Sequence, residues 1–467
     1  MRNSSRWRIA TAAVALLAAA TSTTFAVLVP PYESPDEHAH AEYVRHVAQY
    51  GLPRQIPLPD APERRFVYEW VQPPLYYVLA APLALAVGSS TPTVLTPDPS
   101  SRLLGGDRWV VYSHERPLEP REVAVRLYVL RAFGVLLAVL GVLAAVALTR
   151  AATGSMTAAL FAGAALALVP QWTAIMASVG NDGLSTTLAA LAALSLWSLV
   201  SHPNSRTAAL AGLLSGAALS TKLTTTSLIP GLVFAVWYST SKGRGRLAAA
   251  ALSGFALSGG WPYAWNLVAH GDPFASAFKR AALEAHGCGG AVGVPGVFDP
   301  GFWQYFIVMV VEPFWARFGS LGAGLANGSR GWLAYYAITA ALAAAILAGS
   351  VSAWLRRSDG VEEPEARRCL SRSLVIIAAF GLSVWLAANT VNPVEYLLGV
   401  RATMVVHWTP RHLMPLTAPL VAIASLGVLH LTSWIPDRAR FFMAALSLIG
   451  LSGLWAIVVR DVVTAFR

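Results

Sequence analysis

The sequence is poor in charged residues and in cysteine, and both shortages limit what the protein can be. Charged residues make up 12% of the 467 residues, whereas a soluble domain carries about 25%. Hydrophobic residues make up 55%, which is more apolar surface than one water-soluble core of this length can hide. The composition therefore excludes an ordinary soluble protein and indicates an integral membrane protein.

The two cysteines and the net charge exclude two further readings of the chain. Cys288 and Cys369 fall on opposite sides of the membrane in the topology derived below, so we expect no disulfide between them. The net charge of +10 is the kind of value that nucleic-acid-binding proteins have. Most of this charge lies in short segments between apolar runs, however, which is the pattern that orients membrane helices. We therefore expect no nucleic-acid partner.

Eleven apolar runs are candidates for membrane spans. The first follows an arginine-rich amino terminus, exceeds the length of a signal-peptide core and ends without a clear cleavage site, so we predict an uncleaved first helix. The stretch 207–239 is interrupted by Thr221 and Lys222 and is interpreted as a helical pair. The predicted spans are 9–29, 123–149, 157–175, 182–200, 207–221, 223–239, 247–267, 332–354, 371–391, 411–433 and 441–460.

Two shorter runs, 72–88 and 302–318, are aromatic and contain proline. If neither crosses the membrane and the amino terminus is cytoplasmic, every short basic loop faces the cytoplasm, as membrane topology favours. If 72–88 crossed, the basic cluster at 242–246 would face outside instead. We therefore predict an all-α, polytopic transmembrane helical bundle of about eleven spans, with both short runs in extracytoplasmic juxtamembrane helices.

This topology divides the chain into five regions. Two long extracytoplasmic loops are rich in Trp, Tyr, Pro and Gly, and loops of this length in a compact membrane protein are usually functional. The predicted regions are a first helix (1–29), a loop with the candidate active site (30–122), transmembrane helices (123–267), a second loop (268–331) and further transmembrane helices (332–467).

The first loop begins with a cluster of acidic residues and histidines at the outer edge of the membrane. A short helix from Ser34 or Pro35 would place Asp36, His40 and Tyr43 on one face. A carboxylate beside hydrocarbon is partly desolvated, which raises its pKa and its strength as a base. The alternative is that the acidic residues only cap a juxtamembrane helix.

The histidines could bind a metal ion together with the acidic residues. The His-x-His spacing of His38 and His40 places both rings on one face in a strand but not in a helix. We therefore expect His40 to orient Asp36 by a hydrogen bond. We expect no metal and no other cofactor, with a divalent cation as the alternative.

Residues 33–53 and 69–83 resemble the first-loop signature of class C glycosyltransferases, the superfamily of protein O-mannosyltransferases, aminoarabinose transferases and bacterial polyprenyl-phosphate-sugar enzymes. Weaker similarities follow in the same order along the chain, at 179–184, 220–222, 265–274 and 410–415. In that family an Asp-Glu pair directly after the first helix supplies the catalytic acid, and here this pair is Asp36 and Glu37.

The resemblance implies a membrane enzyme that moves a sugar from a polyprenyl-phosphate carrier to an extracytoplasmic glycan, lipid or protein acceptor. Asp36 would be the general base and Glu37 its neighbour in substrate binding. The residues expected to bind substrate or the lipid phosphate are His40, Gln72, Asp182, Lys222, Arg411 and His412.

Physical arguments support two of these cations. Lys222 interrupts an apolar helical pair, where a charge is costly without a partner. Arg411 begins a late helix, where it could contact a phosphate through two hydrogen bonds. The alternatives are that Lys222 extends to the interface and that Arg411 is only an anchor.

Two positions depart from the family pattern. Gln72 stands where relatives often carry His or Lys, and Trp265 stands where an Arg is common. Both differences remove a phosphate contact.

Two other functions compete with the transferase. A transporter or lipid flippase would place ionisable groups and broken helices at the midplane of the membrane, and a catalytically silent scaffold would keep the fold alone. The predicted spans are nearly free of charge, which favours chemistry at the outer interface. The alanine-rich composition, with arginine in excess of lysine, indicates a bacterial cell membrane as the location, with membrane lipids as surroundings.

Overall fold

The computed structural model describes a predominantly helical chain. The described residues are 2–58, 61–91, 121–239, 243–286, 311–318, 323–324, 330–355, 365–390 and 410–465. Each of the eleven predicted apolar runs forms a helix or a pair of consecutive helices. The predicted all-α polytopic bundle is therefore confirmed.

The helices of the first half of the chain carry the segments around Asp36. They are α1 (Arg2–Leu28), α2 (Glu37–Tyr50), a 3-10 helix (Pro62–Val71), α3 (Leu75–Val87), α4 (Arg121–Thr153), α5 (Met156–Ala167), α6 (Pro170–Ala177), α7 (Asn181–Ser201) and α8 (Ser205–Leu219). A second 3-10 helix (Leu223–Ser227), α9 (Leu228–Ser239), α10 (Arg244–Gly259), α11 (Trp261–His270) and α12 (Ser276–His286) follow.

The described part of the second half contains the remaining helices and two short paired strands. The helices are α13 (Glu312–Ala316), α14 (Arg330–Leu355), α15 (Glu365–Thr390), a 3-10 helix (Pro410–Leu416), α16 (Thr417–Leu431) and α17 (Asp437–Ala465). Strands β1 (Arg317–Phe318) and β2 (Ala323–Gly324) pair antiparallel, with Arg317 opposite Gly324.

Seven helices of the described chain are long and apolar enough to cross a membrane, and the pair α5–α6, bent by 69°, would make an eighth. The predicted count of eleven is not confirmed. The shortfall lies in α8, α9 and α10, which have 15, 12 and 16 residues and are short of the roughly 20 residues that a span needs. The predicted break in 207–239 is confirmed, because α8 ends at Leu219 and a 3-10 helix begins at Leu223.

The two ambiguous runs are described to different extents. Residues 75–87 form α3, whose 13 residues extend about 20 Å, less than the roughly 30 Å of a hydrocarbon core. This length agrees with a juxtamembrane position. Of the run 302–318, only 311–318 belongs to the described residues, and Cys288 and residues 92–120 also lie outside them. The predicted boundaries of the five regions stay predictions.

Glycines bring α8 and α10 into close contact. A Cβ atom on Gly212 would lie 1.9 Å from the carbonyl oxygen of Ala251, and one on Gly254 would lie 2.1 Å from that of Ala209. Small residues allow membrane helices to approach backbone to backbone. This contact fixes the helix that leads directly to Lys222.

Basic and aromatic side chains gather at the end of the bundle opposite Asp36. Arg150 at the end of α4 lies 4.7 Å from the ring centroid of Trp7 in α1. Arg367 in α15 donates a hydrogen bond to the carbonyl of Ala151, 3.2 Å away. The first turns of α1 and α15 and the last turn of α4 therefore share one end of the molecule, as expected for loops on one side of a membrane.

Candidate active site

Asp36 is positioned by an unusual backbone conformation at the start of α2. Its φ of 57° and ψ of 11° lie in the left-handed region, which Asp and Asn tolerate better than most residues. Its side chain does not cap the helix. The carboxylate points instead toward the 3-10 helix Pro62–Val71 and toward Arg411.

Both oxygens of the Asp36 carboxylate have partners. Arg411 forms an ion pair with Oδ2 and also donates to the carbonyl of Pro35 at 3.2 Å. The hydroxyl of Tyr68 donates to Oδ1 at 3.0 Å and lies 3.3 Å from Nε2 of His38. The Asp36 side chain remains 29% exposed, so a ligand can reach the carboxylate.

The pKa of Asp36 differs from the sequence expectation. Burial is the largest single influence and would raise this pKa, as predicted, but the charge and hydrogen bond of Arg411, together with His40 and His38, outweigh it and hold the pKa of Asp36 below its ordinary value of 3.8. The prediction of a raised pKa was wrong, because the sequence does not show that Arg411 lies beside Asp36.

Glu37 occupies a different environment from its neighbour. Its side chain is 0% exposed and accepts hydrogen bonds from Nε and Nη2 of Arg131 at 2.9 and 2.6 Å. The backbone amides of Tyr32 and Val179 donate to the same carboxylate, each at 3.0 Å. All of these partners are protein groups, so Glu37 joins α1, α2, α4 and the start of α7 rather than facing the space beside Asp36.

Arg131 was not among the predicted residues. It also donates to the carbonyls of Ala26, Val29 and Pro30 at 2.7, 2.7 and 3.0 Å. A charged residue inside the long apolar run 123–149 is the signal that could have revealed it.

His40 lies deeper than Asp36, among aromatic rings. Its Nδ1 is 2.8 Å from the hydroxyl of Tyr77 and 3.6 Å from Oε2 of Glu69. Tyr77 also stacks on Tyr43, with ring centroids 3.8 Å apart. Burial, reinforced by the charges of Arg411 and Lys222, lowers the pKa of His40 to about 3. His40 is therefore a neutral ring at physiological pH, and its hydrogen bond goes to Tyr77.

Asp182 and Lys222 form a second ion pair. The Nζ atom of Lys222 lies 2.5 Å from Oδ1 of Asp182, and both side chains are almost fully buried. Asn181 donates to the carbonyl of Thr221 at 3.2 Å. These two contacts hold the break between α8 and the following 3-10 helix against the start of α7. Lys222 has its partner inside the protein and does not extend to the interface.

Arg411 and His412 lie in the first turn of the 3-10 helix that precedes α16, and Asp182 lies within electrostatic range of both. The site therefore joins residues from four segments distant in sequence: Asp36, His40, Asp182, Lys222, Arg411 and His412. This set contains six of the eight predicted site residues.

Gln72 lies in a neighbouring cleft. About 570 Å³ of empty space, open to solvent, is lined by aromatic and polar side chains from the first loop, α8, α11 and α12. Gln72 and Trp265, the two departures from the family pattern, line this cleft together with Tyr43, Trp70, Asn266, His270 and Lys279. Tyr43 connects the cleft to the site, because its ring also contacts Tyr77.

Two residues of the 3-10 helix Pro62–Val71, Tyr68 and Glu69, also belong to the site and were not predicted. Glu69 is 5% exposed and interacts electrostatically with Asp36, Arg411 and Lys222. Glu69 begins the stretch 69–83 that resembles the family signature, and Tyr68 directly precedes it, so only this position in the chain could have suggested them. In the described part of the chain, no three His, Cys, Asp or Glu side chains lie close enough together to hold a metal ion.

Known proteins share both the fold and part of the sequence. Residues 123–259, less than a third of the chain, match the family model described as dolichyl-phosphate-mannose-protein mannosyltransferase. The fold is similar to that of the oligosaccharyltransferase of Archaeoglobus fulgidus in the apo form, with a TM-score of 0.51 and 13% identity over 98% of this chain. The match covers 55% of the oligosaccharyltransferase chain.

The resemblance of the sequence to class C glycosyltransferases is therefore accompanied by a family-model match over 123–259 and by a similar fold. Two further structures match with lower TM-scores. ArnT from Cupriavidus metallidurans bound to undecaprenyl phosphate has a TM-score of 0.49 and 15% identity, over 98% of this chain and 76% of that one. The Pmt1–Pmt2 complex of S. cerevisiae bound to the sugar donor has a TM-score of 0.38 and 18% identity, over 56% of this chain and 33% of that one. No curated protein sequence matches this chain.

Proposed function

We propose that the protein is a glycosyltransferase that moves a sugar from a polyprenyl phosphate to a hydroxyl-bearing acceptor at the outer membrane surface, with Asp36 as the general base. The observation that carries the proposal is the ion pair between Asp36 and Arg411. This pair places a partly exposed carboxylate directly beside a cation that could bind a phosphate.

The charges around Asp36 fit an anionic donor. Arg411, Lys222 and the ring of His412 come together near the base, although each cation is already paired with a carboxylate. Taking a charge out of water is costly. Removing one partner of a buried ion pair therefore destabilises the protein by several kcal/mol, because the other charge is left unpaired. A lipid phosphate that reaches Arg411 can replace Asp36 as its partner, because guanidinium binds phosphate through paired hydrogen bonds.

This exchange would couple donor binding to the strength of the base. While Arg411 is paired with Asp36, its charge holds the pKa of the carboxyl low, and such a carboxylate is a weak base. When the phosphate takes over Arg411, the largest lowering influence is lost while burial remains, so the pKa of Asp36 rises. Asp36 is then better suited to accept a proton.

The reaction can be written from these groups. The acceptor oxygen attacks the anomeric carbon of the sugar, and its proton passes to the Asp36 carboxylate. The bond between that carbon and the phosphate oxygen breaks, and its electron pair leaves with the polyprenyl phosphate. Arg411 and Lys222 stabilise the negative charge on the leaving phosphate, as preorganised cations do at the site where charge develops. Inversion at the anomeric carbon is what the family resemblance implies.

The cleft beside Gln72 provides a route for the donor or the acceptor. Aromatic side chains with a few polar groups are typical of ligand sites, and the cleft reaches Tyr43 at the edge of the site. Exposed apolar side chains on α11, Leu267 and Val268, lie beside it. A lipid carrier could enter from this side without leaving the membrane interface.

One observation favours a transporter as the second candidate. The buried pair of Asp182 and Lys222 lies next to a broken helix, and such arrangements occur in transporters. A transporter or flippase would move the lipid without cleaving it. A silent scaffold would bind the lipid and neither move nor cleave it.

The test is sugar transfer by the purified protein in lipid, using a panel of polyprenyl-phosphate sugars and acceptors. We expect transfer by the wild type from at least one donor and a loss of at least about 100-fold for Asp36→Asn, because general-base catalysis contributes about 10²–10⁴-fold. Asn tolerates the left-handed backbone of residue 36, so this variant keeps the conformation.

Asp437→Asn is the matched control, because Asp437 is also ion-paired with an arginine but is 94% exposed at the start of α17. It should transfer sugar like the wild type. Bound donor without transfer by the wild type would contradict the proposal, and lipid movement under the same conditions would favour the transporter.

A further inference from the structure

Glu69 is a buried carboxyl with an oxygen that lacks a hydrogen bond. Its side chain lies on the 3-10 helix beside Tyr68 and is 5% exposed. Within the described residues, Oε2 accepts no hydrogen bond, and Nδ1 of His40 at 3.6 Å is too distant to donate one. A buried polar atom without a partner costs free energy, so this oxygen indicates a missing ligand or a proton.

The charges that face Glu69 come from several elements. Asp36 at the start of α2 and Asp182 at the start of α7 are negative, whereas Arg411 and Lys222 are positive and are already paired with those two carboxylates. His40 is neutral. The hydroxyls of three tyrosines complete the surroundings: Tyr43, Tyr68 and Tyr77.

An ionised Glu69 would therefore be a third carboxylate beside two cations. Burial, and next the negative charge of Asp36, raise the pKa of Glu69 to about 8. The carboxyl then carries a proton at neutral pH. A protonated carboxyl can donate a hydrogen bond, which a carboxylate cannot do.

We propose that Glu69 is a donor-binding residue, which as a neutral acid donates a hydrogen bond from its carboxyl to an oxygen of the lipid phosphate. The proposal rests on the proposed function only in its choice of ligand, a phosphate on a lipid carrier. Arg411 and Lys222 attract this anion, and the protonated Glu69 adds a hydrogen bond without a repelling charge. Ionisation of Glu69 removes the hydrogen bond, because the proton is lost. It also places a repelling negative charge beside the phosphate.

The proton can be observed without any substrate. Infrared spectroscopy of the wild type, in a detergent free of ester groups, should show the carbonyl band of a protonated carboxyl at pH 6.5 that disappears as the pH rises through about 8. The band should be absent from Glu69→Gln. Glu42→Gln is the matched control, because Glu42 is equally buried on α2 but is ion-paired with Arg45 at 2.7 Å. This control should keep the band.

The ligand is tested by binding of polyprenyl phosphate that carries no sugar. For the wild type, we expect the dissociation constant to rise about tenfold for each pH unit above 8, because only the neutral fraction binds. For Glu69→Gln, which donates a hydrogen bond at every pH, we expect affinity close to that of the wild type at pH 6.5 and no such rise. The second ionisation of the phosphate, near pH 6, is complete before this range.

Three results would overturn the proposal: a wild type without the band, a band that persists in Glu69→Gln, or the same alkaline weakening in both proteins. If only sugar-bearing donor shows the pH effect, the hydrogen bond goes to the sugar, and the assignment to the phosphate is wrong. Because neither measurement requires turnover, a failure of sugar transfer leaves both results interpretable. The titration of the wild-type band also needs no variant, so a poorly folded Glu69→Gln would not prevent the test.

Discussion

At the scale of the residue, the neighbours Asp36 and Glu37 have opposite roles. Asp36 turns its carboxylate outward in a left-handed backbone conformation and remains 29% exposed. Glu37 turns inward to Arg131 and is fully buried. One residue is therefore available for chemistry, and the other holds the segment in place.

A change at Arg411 tests how the pKa of Asp36 is set. In Arg411→Gln the lowering influence is lost and burial remains, so the pKa of Asp36 rises toward or above its ordinary value of 3.8. The carboxylate is then protonated as the pH falls, and kcat/KM for sugar transfer should decline in acid at a pH where the wild type does not. The KM for the donor should rise about 10- to 100-fold, as expected for the loss of a hydrogen bond from a charged group.

Full pH profiles of kcat/KM for both proteins would measure this effect. Arg440→Gln is the control, because Arg440 is paired with the exposed Asp437 outside the site, and it should keep the wild-type profile. An acid decline at the same pH in wild type and Arg411→Gln would show that Arg411 does not set the pKa of Asp36.

The sequence predicted these residues unevenly, for a physical reason. Asp36 lies in a local motif, and a motif can be recognised from neighbouring letters. Its partner Arg411 is 375 residues away, so the direction of the pKa shift depended on a contact that no local pattern contains. The same holds for Glu69, whose environment combines charges from three distant helices.

At the scale of the element, the site depends on helix ends and breaks. Lys222 follows α8, Asp182 lies in the first turn of α7, and Arg411 opens a 3-10 helix. The sequence predicted the apolar runs and the break at Thr221–Lys222. The bend between α5 and α6 was not predicted, and the short α8 and α10 do not reach span length alone. A hydropathy profile gives the length of an apolar run, but it does not show whether that run bends between two consecutive helices.

Substitution of Gly212 tests whether the contact of α8 with α10 positions Lys222. The Cβ of Gly212→Ala would lie 1.9 Å from a backbone oxygen of α10, so the helices must separate. We expect a lower thermal midpoint in detergent and weaker donor binding, with destabilisation of about 1–3 kcal/mol, typical of overpacking.

Gly245→Ala is the control on α10 itself, because a Cβ there meets nothing within 4 Å. It should be neutral or slightly stabilising, since Ala favours helix more than Gly does. If the two variants unfold at the same temperature and bind donor equally, the close contact has no role in positioning Lys222.

At the scale of the whole molecule, the bundle separates a basic end from the end that carries Asp36. Arg150, Trp7 and Arg367 meet at one end, and Asp36, Lys222 and Arg411 meet at the other. The sequence predicted this polarity from the charges of short loops. It could not predict how the described parts of 30–122 and 268–331 pack, because the aromatic and proline-rich composition of these segments lacks a regular period.

The central claim is that Asp36 catalyses sugar transfer at the extracytoplasmic face. The most direct test uses sealed membrane vesicles of known orientation, loaded with a polyprenyl-phosphate sugar, and a membrane-impermeant acceptor added outside. The account predicts transfer in right-side-out vesicles, none in intact inverted vesicles, recovery when inverted vesicles are opened, and loss in every case for Asp36→Asn. Transfer in intact inverted vesicles, or equal transfer by a folded Asp36→Asn protein, would contradict it.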